Sequence, residues 1–520
     1  MALLLQSSIG ARAALIGVTF IGMAVLWLAT PWGIGIYTDS MVYVGATRSL
    51  LTGHGFQYLN DIGQLSPVIH YPPGYPSLIA AFAWIGLDAL DAARWVSIFF
   101  CAANSLLAAY IAYHATLSYG AMLLASFLSW IAFPMVYINS QALTEPPFIF
   151  LTLLGCCFLA RYLQEQHVPS IYGAALAIGL GCLMRYVGVA NGLTGAAVIL
   201  LHGRQDWRKR FFDAAMFSFL SALPLVAWTV RNYLSAGDAF NRTFSLHFPA
   251  LVSLLPAMET IGHWLLPMSL VDNAPWPTRL FLLLLFFLLL ALGRKVNLSR
   301  SWYPRLMVYC LAGYGTFLYI SLVVCDALLF FDTRTLALPY VATMIVVLSI
   351  ITEWLRENRA PGKSWRWLAF DCAAAILLAL QLINGIVWLR LSYVSGIGFG
   401  SDFWHDSELL RFAKTAGATT PIVSNAPDFI YTLTGRRAAM ILKKLDRKSL
   451  QPNQLYEQAL AAMGEQLRQP SAVFVYFNDD GRWYLPSIKE LEANLPLEKI
   501  KTVPDGAIYR LNGAALSAAK

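Results

Sequence analysis

The chain has 520 residues, of which 58% are hydrophobic and 13% charged, about half the charged share of an ordinary globular protein. That composition excludes a single water-soluble core, because the apolar residues run in stretches of roughly 16–25, the length of helix that crosses a ~30 Å hydrocarbon layer. A net charge of +8 would suit nucleic acid in a soluble chain, but here Lys and Arg gather in short loops between apolar stretches, which is the positive-inside bias of a membrane protein.

The first apolar stretch, about 13–30, follows Arg12 and has no cleavage site before Pro31, so it reads as a retained helix and not a signal peptide. Ten more follow at about 92–114, 119–138, 146–163, 169–184, 187–202, 211–230, 278–293, 304–324, 334–355 and 366–389. The fold class is therefore a polytopic α-helical membrane protein of about 11 transmembrane helices. With the N-terminus in the cytoplasm, the cytoplasmic loops carry Arg204, Arg208, Lys209 and Arg210, then Arg294, Lys295, Arg300 and Arg305, then Arg356, Arg359, Lys363 and Arg366. Moving the count by one helix breaks that alternation. The fifth and sixth stretches are short, about 24 Å of helix each, and either two short spans or a re-entrant hairpin fits them. In both cases Arg185, at their junction, belongs near the outer face or in a polar cavity, since an Arg at the bilayer centre costs at least ~2.5–3.5 kcal/mol.

Two regions fall on the outer side by parity, the loop 31–91 and everything beyond about residue 391. Residues 1–390 then form the membrane domain, and 391–520 a small soluble α/β domain. In the latter, Pro421–Ser424 and Ala472–Phe477 read as strands and Gln454–Leu467 as an amphipathic helix. The seven cysteines lie in or beside apolar stretches and none in this tail, so no disulfide framework or CxxC metal site is indicated.

The loop 31–91 holds most of the candidate chemistry. Ser40–Leu51 has Met41, Val44, Ala46 or Thr47 and Leu50 or Leu51 at helical spacing, which suits a helix lying in the interface. Asp39 starts that helix, where Asp39 or Ser40 serves equally well as an N-cap. Further on, Glu145 opens the fourth stretch, Arg231 and Asn232 close the seventh, and Asp332 and Arg334 precede the tenth. Each taken singly is an ordinary helix-end residue among headgroups. Gathered on one face of a bilayer, carboxylates beside arginines suit a site that holds a lipid phosphate while a proton leaves an acceptor.

The order of these motifs is more specific than any one of them. Asp39-x-x-x-Tyr43, Leu51-x-x-Gly-x-Gly, Tyr71-Pro-Pro-Gly-Tyr-Pro76, Thr144-Glu-Pro146, Arg185, Trp228-x-x-Arg-Asn232 and Asp332-x-Arg-x-x-x-x-Pro339 together resemble the GT-C superfamily of membrane glycosyltransferases. The branch is that of protein O-mannosyltransferases, lipid A aminoarabinose transferases and related bacterial sugar transferases, and the resemblance extends over roughly residues 13–390. It implies transfer of one sugar from a polyprenyl-phosphate donor to a glycan, lipid or protein acceptor on the outer face of a bacterial inner membrane, with inversion. It also implies Asp39 as catalytic base, with Tyr43, His70, Tyr71, Glu145, Arg185, Arg231, Asp332 and Arg334 as the substrate-binding set, the arginines stabilising the departing phosphate. This chain departs from its relatives in having Ser40 where many have a second acidic residue, and Tyr71 where the aminoarabinose transferases have Lys.

No cofactor is expected. His54, His70, His247 and His263 show no close zinc spacing, which leaves a divalent metal weakly supported. Gly179-Leu180-Gly181 lies inside an apolar helix and marks close helix packing, not a nucleotide loop. The competing reading is a flippase for a lipid-linked glycan, but such proteins place charge near the midplane and show internal repeats, and no repeat is evident here.

Overall fold

The structure is a computed structural model that describes residues 9–512 apart from 61–62, 205, 241–245, 247–254, 296–300, 325–330, 359–364, 418, 446–450, 470 and 479–481. His247, Arg300, Cys325, Arg359 and Lys363 lie outside the described residues. The chain divides into two compact units: one runs up to Gly35 and from Ile69 to Ile397, the other from Ile36 to Val68 and from Gly398 onward.

The first unit is helical and of the membrane. Eight of its described helices are long and apolar enough to cross a bilayer: Ile9–Ala29, Ala89–Thr116, Glu145–Glu165, Trp207–Ala236, Pro275–Arg294, Trp302–Val324, Ala337–Asn358 and Trp367–Ser395. A ninth is a broken pair, Tyr119–Ile131 and Phe133–Asn139, bent by 51°. The break falls at Ala132 because Pro134 follows in the first turn of the second piece, where it lacks an N–H to continue the ladder. The two short stretches appear as separate helices, Pro169–Met184 and Gly188–His202, with Arg185 to Val187 between them.

Local sequence sets the helix ends. Asp88 and Asp206 cap the helices that follow them, accepting from the amides of Leu90 and Arg208 at 2.9 and 3.0 Å. Pro146 and Pro147 fall in the first turn of Glu145–Glu165, where a missing N–H costs nothing. The core lies among Ala89–Thr116, Glu145–Glu165 and Pro169–Met184, around the buried rings of Tyr75, Phe148 and Tyr162. Pro275–Arg294 and Trp367–Ser395 expose most of their apolar surface, as helices bathed in lipid do.

The second unit joins residues 36–68 to the C-terminal segment. Its helix Thr38–Leu51 is followed by an antiparallel hairpin, Gln57–Leu59 with Leu65–Pro67, in which Tyr58 faces Ser66. Asn60 closes the hairpin: its Oδ1 accepts from the Gln64 amide at 2.9 Å and its Nδ2 donates to Ser66 Oγ at 2.8 Å. The C-terminal segment builds a five-stranded sheet in the order 439–440, 422–424, 473–477, 506–511 and 497–503. The first three strands are parallel and the last two antiparallel. The expected strands at 421–424 and 472–477 are present as Ile422–Ser424 and Val473–Phe477, and the expected helix as Tyr456–Leu467. Leu460, Met463 and Leu467 of that helix bury one stripe against Phe474 and Tyr509 of the sheet.

Candidate functional site

In the membrane unit the charged residues of three separate helix ends meet at Glu145. Glu145 opens its helix and is 2% exposed. The turn is fixed from outside by Asn104, whose Nδ2 donates to the Pro146 carbonyl at 2.9 Å. Arg185 leaves the helix Pro169–Met184 in extended backbone, which turns its side chain back to an ion pair with Glu145 Oε1 and a 3.2 Å hydrogen bond to Thr144 Oγ1. Arg334 Nε donates to the same Oε1 at 2.9 Å.

Arg334 is held by its own turn. Asp332 Oδ1 accepts from the amide and hydroxyl of Thr335 at 2.8 and 2.7 Å, and the Thr335 carbonyl accepts from Tyr314 Oη at 3.1 Å. Asp332 therefore acts as the capping residue that shapes the turn, while Arg334 points to the carboxylate. The side chains of Arg185 and Arg334 stay 23% and 22% exposed, against 3% for Glu145. One buried carboxylate lies between two partly exposed guanidiniums, with the Asp332 carboxylate two residues before Arg334, and each guanidinium presents its donors in a planar fork. Guanidinium forks of this kind suit an oxyanion such as a carboxylate or phosphate.

The motif Tyr71–Pro76 packs directly behind Arg185. A Cβ on Gly74 would stand 2.6 Å from the Leu183 carbonyl oxygen, so only glycine lets this turn approach the last residues before Arg185. His70 and Tyr71 meet edge to face with ring centroids 4.8 Å apart. Arg231 does not join the cluster by direct contact with Glu145. Its guanidinium lies 4.8 Å over the Trp228 ring, Trp228 Nε1 donates to Tyr186 Oη at 3.3 Å, and Tyr186 Oη donates to the Ile69 carbonyl at 3.2 Å. Tyr186 and Asn104 are the site-building residues that sequence reasoning did not single out. For Tyr186 the available signal was its place beside Arg185.

Asp39 and Tyr43 belong to the other unit. The helix Thr38–Leu51 takes Tyr37 as its N-cap residue, and Ser40 Oγ accepts from the Tyr37 amide at 3.2 Å. The reciprocal cap thus falls to Ser40, and Asp39 sits in the first turn, half-buried. Its carboxylate lies where the helix dipole favours negative charge. Tyr43 is buried, and its carbonyl accepts from Thr47 Oγ1 at 2.8 Å. Among the described residues no three His, Cys, Asp or Glu side chains come together as a metal set. His54 bonds to Thr52 Oγ1 at 2.9 Å and His263 to Asp272 at 3.0 Å.

A family model described as dolichyl-phosphate-mannose-protein mannosyltransferase matches residues 70–228, less than a third of the chain. No curated protein is similar enough in sequence to match. Among solved structures, the chain superimposes on ArnT from Cupriavidus metallidurans bound to undecaprenyl phosphate with a TM-score of 0.59 at 11% identity, covering 98% of this chain and 99% of that one. The archaeal oligosaccharyltransferase AglB from Archaeoglobus fulgidus, in complex with an inhibitory peptide and a dolichol-phosphate, gives 0.59 at 13% identity over 98% and 75%. The arabinofuranosyltransferase AftD from Mycobacteria gives 0.57 at 13% identity over 96% and 40%. At these identities the likeness is one of fold, and the fold is that of the GT-C membrane glycosyltransferases.

Proposed function

We propose that this GT-C chain is a glycosyltransferase that moves a single sugar from a polyprenyl-phosphate carrier to an acceptor on the outer face of a bacterial inner membrane, with inversion. The observation that supports it most is the pairing of Glu145 with both Arg185 and Arg334 at the ends of apolar helices. A polyprenyl phosphate needs hydrocarbon for its chain and a cationic fork for its head, and both are supplied there. ArnT, of the same fold, was solved with undecaprenyl phosphate bound. The Lys- and Arg-rich loops at 204–210, 294–305 and 356–366 support a cytoplasmic side from which, by parity of the spans, the cluster lies across the membrane.

In this reading the acceptor oxygen attacks the anomeric carbon as its proton passes to the Asp39 carboxylate, and the bond from that carbon to the phosphate oxygen breaks. The phosphate departs carrying the electron pair. It is a weak base, so what lowers the barrier is stabilisation of its charge by Arg185 and Arg334 and not protonation. A single displacement inverts the carbon. Asp332 holds the turn of Arg334, Arg231 contributes a cation through the Trp228–Tyr186 connection, and His70, Tyr71 and Tyr43 line the substrates.

The test is reconstituted transfer with a panel of radiolabelled undecaprenyl-phosphate sugars and membrane-extract acceptors, comparing wild type with Asp39→Asn. The expected result is transfer by wild type and its loss in a variant that still binds undecaprenyl phosphate. Equal transfer by both removes Asp39 from the mechanism. Absence of transfer with every donor, together with movement of lipid-linked glycan across proteoliposomes, would replace the enzyme with a flippase.

A further inference from the structure

The segment that carries Asp39 is built into the C-terminal α/β unit by two attachments, one on each side of it in sequence. Before Asp39, Ile36 forms a parallel bridge with Gly398, and the Phe399 amide donates to the Ile36 carbonyl at 2.9 Å. Gly398 has φ +58°, and a Cβ there would stand 2.2 Å from the Ile36 oxygen, so this bridge tolerates only glycine. After Asp39, Arg48 Nη1 donates to the carbonyls of Tyr431 and Thr432 at 2.7 and 2.8 Å. Those carbonyls belong to the last turn of the helix Pro427–Thr434, which ends at Gly435 with φ +75°. The Tyr431 carbonyl also accepts from the Gly435 amide at 2.9 Å, and the negative end of the helix dipole favours a cation, so Arg48 is a C-terminal clamp as well as a tether.

Between the two attachments the helix is held by packing. Met41, Val44, Ala46 and Thr47 are at most 4% exposed, and the helix Thr38–Leu51 lies against Pro427–Thr434. The latter in turn carries Phe429, whose ring meets that of Phe399 at a tilt of 38° with centroids 3.9 Å apart. The helix expected to lie in the membrane interface thus packs beside a helix of the α/β unit.

We infer that the C-terminal α/β unit is the platform that sets the position of Asp39, with Arg48 as the positioning residue; the inference rests on Asp39 being the base. A carboxylate that must meet an acceptor proton at hydrogen-bond distance gains nothing from a helix free to drift, and a misplacement of about 1 Å costs on the order of a hundredfold in rate. The domain that looks separable in sequence is by this account part of the catalytic apparatus without touching substrate.

The experiment uses the full chain in lipid nanodiscs as wild type, Arg48→Ala, Arg48→Lys and Asp39→Asn, with Gly398→Ala disturbing the other attachment. Turnover, the KM of the acceptor, the Kd of undecaprenyl phosphate and amide exchange over residues 38–51 are measured for each. Arg48→Ala is expected to lower kcat roughly tenfold to a hundredfold, to speed exchange over 38–51 and to leave the undecaprenyl-phosphate Kd within about twofold. Arg48→Lys should recover part of kcat, since one ammonium still reaches a carbonyl, and Gly398→Ala should repeat the kcat loss. Loss of undecaprenyl-phosphate binding in Arg48→Ala, unrestored by lysine, would mean a merely structural role and overturn the inference. Full activity of Arg48→Ala alongside an inactive Asp39→Asn overturns this inference alone, and full activity of Asp39→Asn overturns it together with the reading of Asp39.

Discussion

Replacing Glu145 with glutamine keeps the shape of the cluster and removes the carboxylate that both arginines contact. Because Arg185 and Arg334 both reach Oε1, their nearest nitrogens lie within about 6 Å of each other. Two unit charges at that distance and an effective dielectric of ~20 repel by about 3 kcal/mol. Both arginines are partly exposed, so solvent screening brings the expected loss of apo stability to about 2 kcal/mol. A phosphate entering the wild-type site meets the same repulsion from the carboxylate, and the glutamine variant relieves it. The variant should therefore be less stable without ligand and bind undecaprenyl phosphate more tightly, by about tenfold for each 1.4 kcal/mol relieved. Turnover should fall, because the interaction that tightens the carrier also slows its release once the sugar has left. Thermal unfolding in detergent, with and without undecaprenyl phosphate, and a direct Kd measure both effects. An apo variant as stable as wild type with an unchanged Kd would show that Glu145 is not the counter-charge of the two arginines, and the reasoning would fail.

Gly74→Ala should lower stability by about 1–3 kcal/mol, because the added methyl meets the Leu183 carbonyl at 2.6 Å and the helix end must shift; weaker undecaprenyl-phosphate binding would follow from displacement of Arg185. In the α/β unit, Arg482 Nη2 donates to both carboxylate oxygens of Asp428 at 2.6 and 2.7 Å, Nη1 donates to the Asn425 carbonyl at 3.0 Å, and the guanidinium lies 4.7 Å over the Phe429 ring. Arg482→Ala should cost about 2–4 kcal/mol, read as faster amide exchange over residues 422–434, and lysine should recover little because it cannot bond in a planar fork. Glu490 closes a capping box with Ser487 and pairs with Lys444, and the Lys444 hydrogen bond above all holds its carboxyl below the usual carboxylate range. A folded pKa below the unfolded value, ~4.3, means that its contribution is present above that pH and lost as pH falls through the folded value. Exchange in the helix Ile488–Asn494 should rise on acidification through that range, and Lys444→Ala should shift the rise to higher pH.

How far the sequence could be read depended on the range of the interaction. The first span, the apolar run at 119–138 and the last span were legible because crossing a bilayer demands a contiguous apolar run, which the chain writes residue by residue; the 51° break within 119–139 was not expected. The paired short helices and Arg185 between them were legible for the same reason, from two runs too short for a full span and a charge at their join. The helix at Thr38–Leu51 was visible from its spacing, but its apolar stripe suits an interface and a protein surface equally well. The hairpin at residues 57–67 was not foreseen, although Asn60 before Gly63 is turn chemistry, because each of its strands has three residues and alternation over so few carries little signal.

What the sequence determined by itself is the class of molecule, most of the long apolar helices in their order, and a set of carboxylates and arginines at helix ends, since each follows from local composition against a hydrocarbon solvent; of the eleven stretches expected to span, eight are long enough to cross and a ninth is a bent pair. What only the tertiary structure decided is which charges meet. Glu145, Arg185 and Arg334 come from three helix ends far apart in the chain. Asp332, which looks like their equal in sequence, is spent on capping its own turn. The Asp39 helix is clamped by carbonyls that follow it by nearly four hundred residues. No pattern along the chain announces such pairings, because burying a charge depends on the geometry that brings its partner to within a hydrogen bond, and that geometry exists only after the helices have packed.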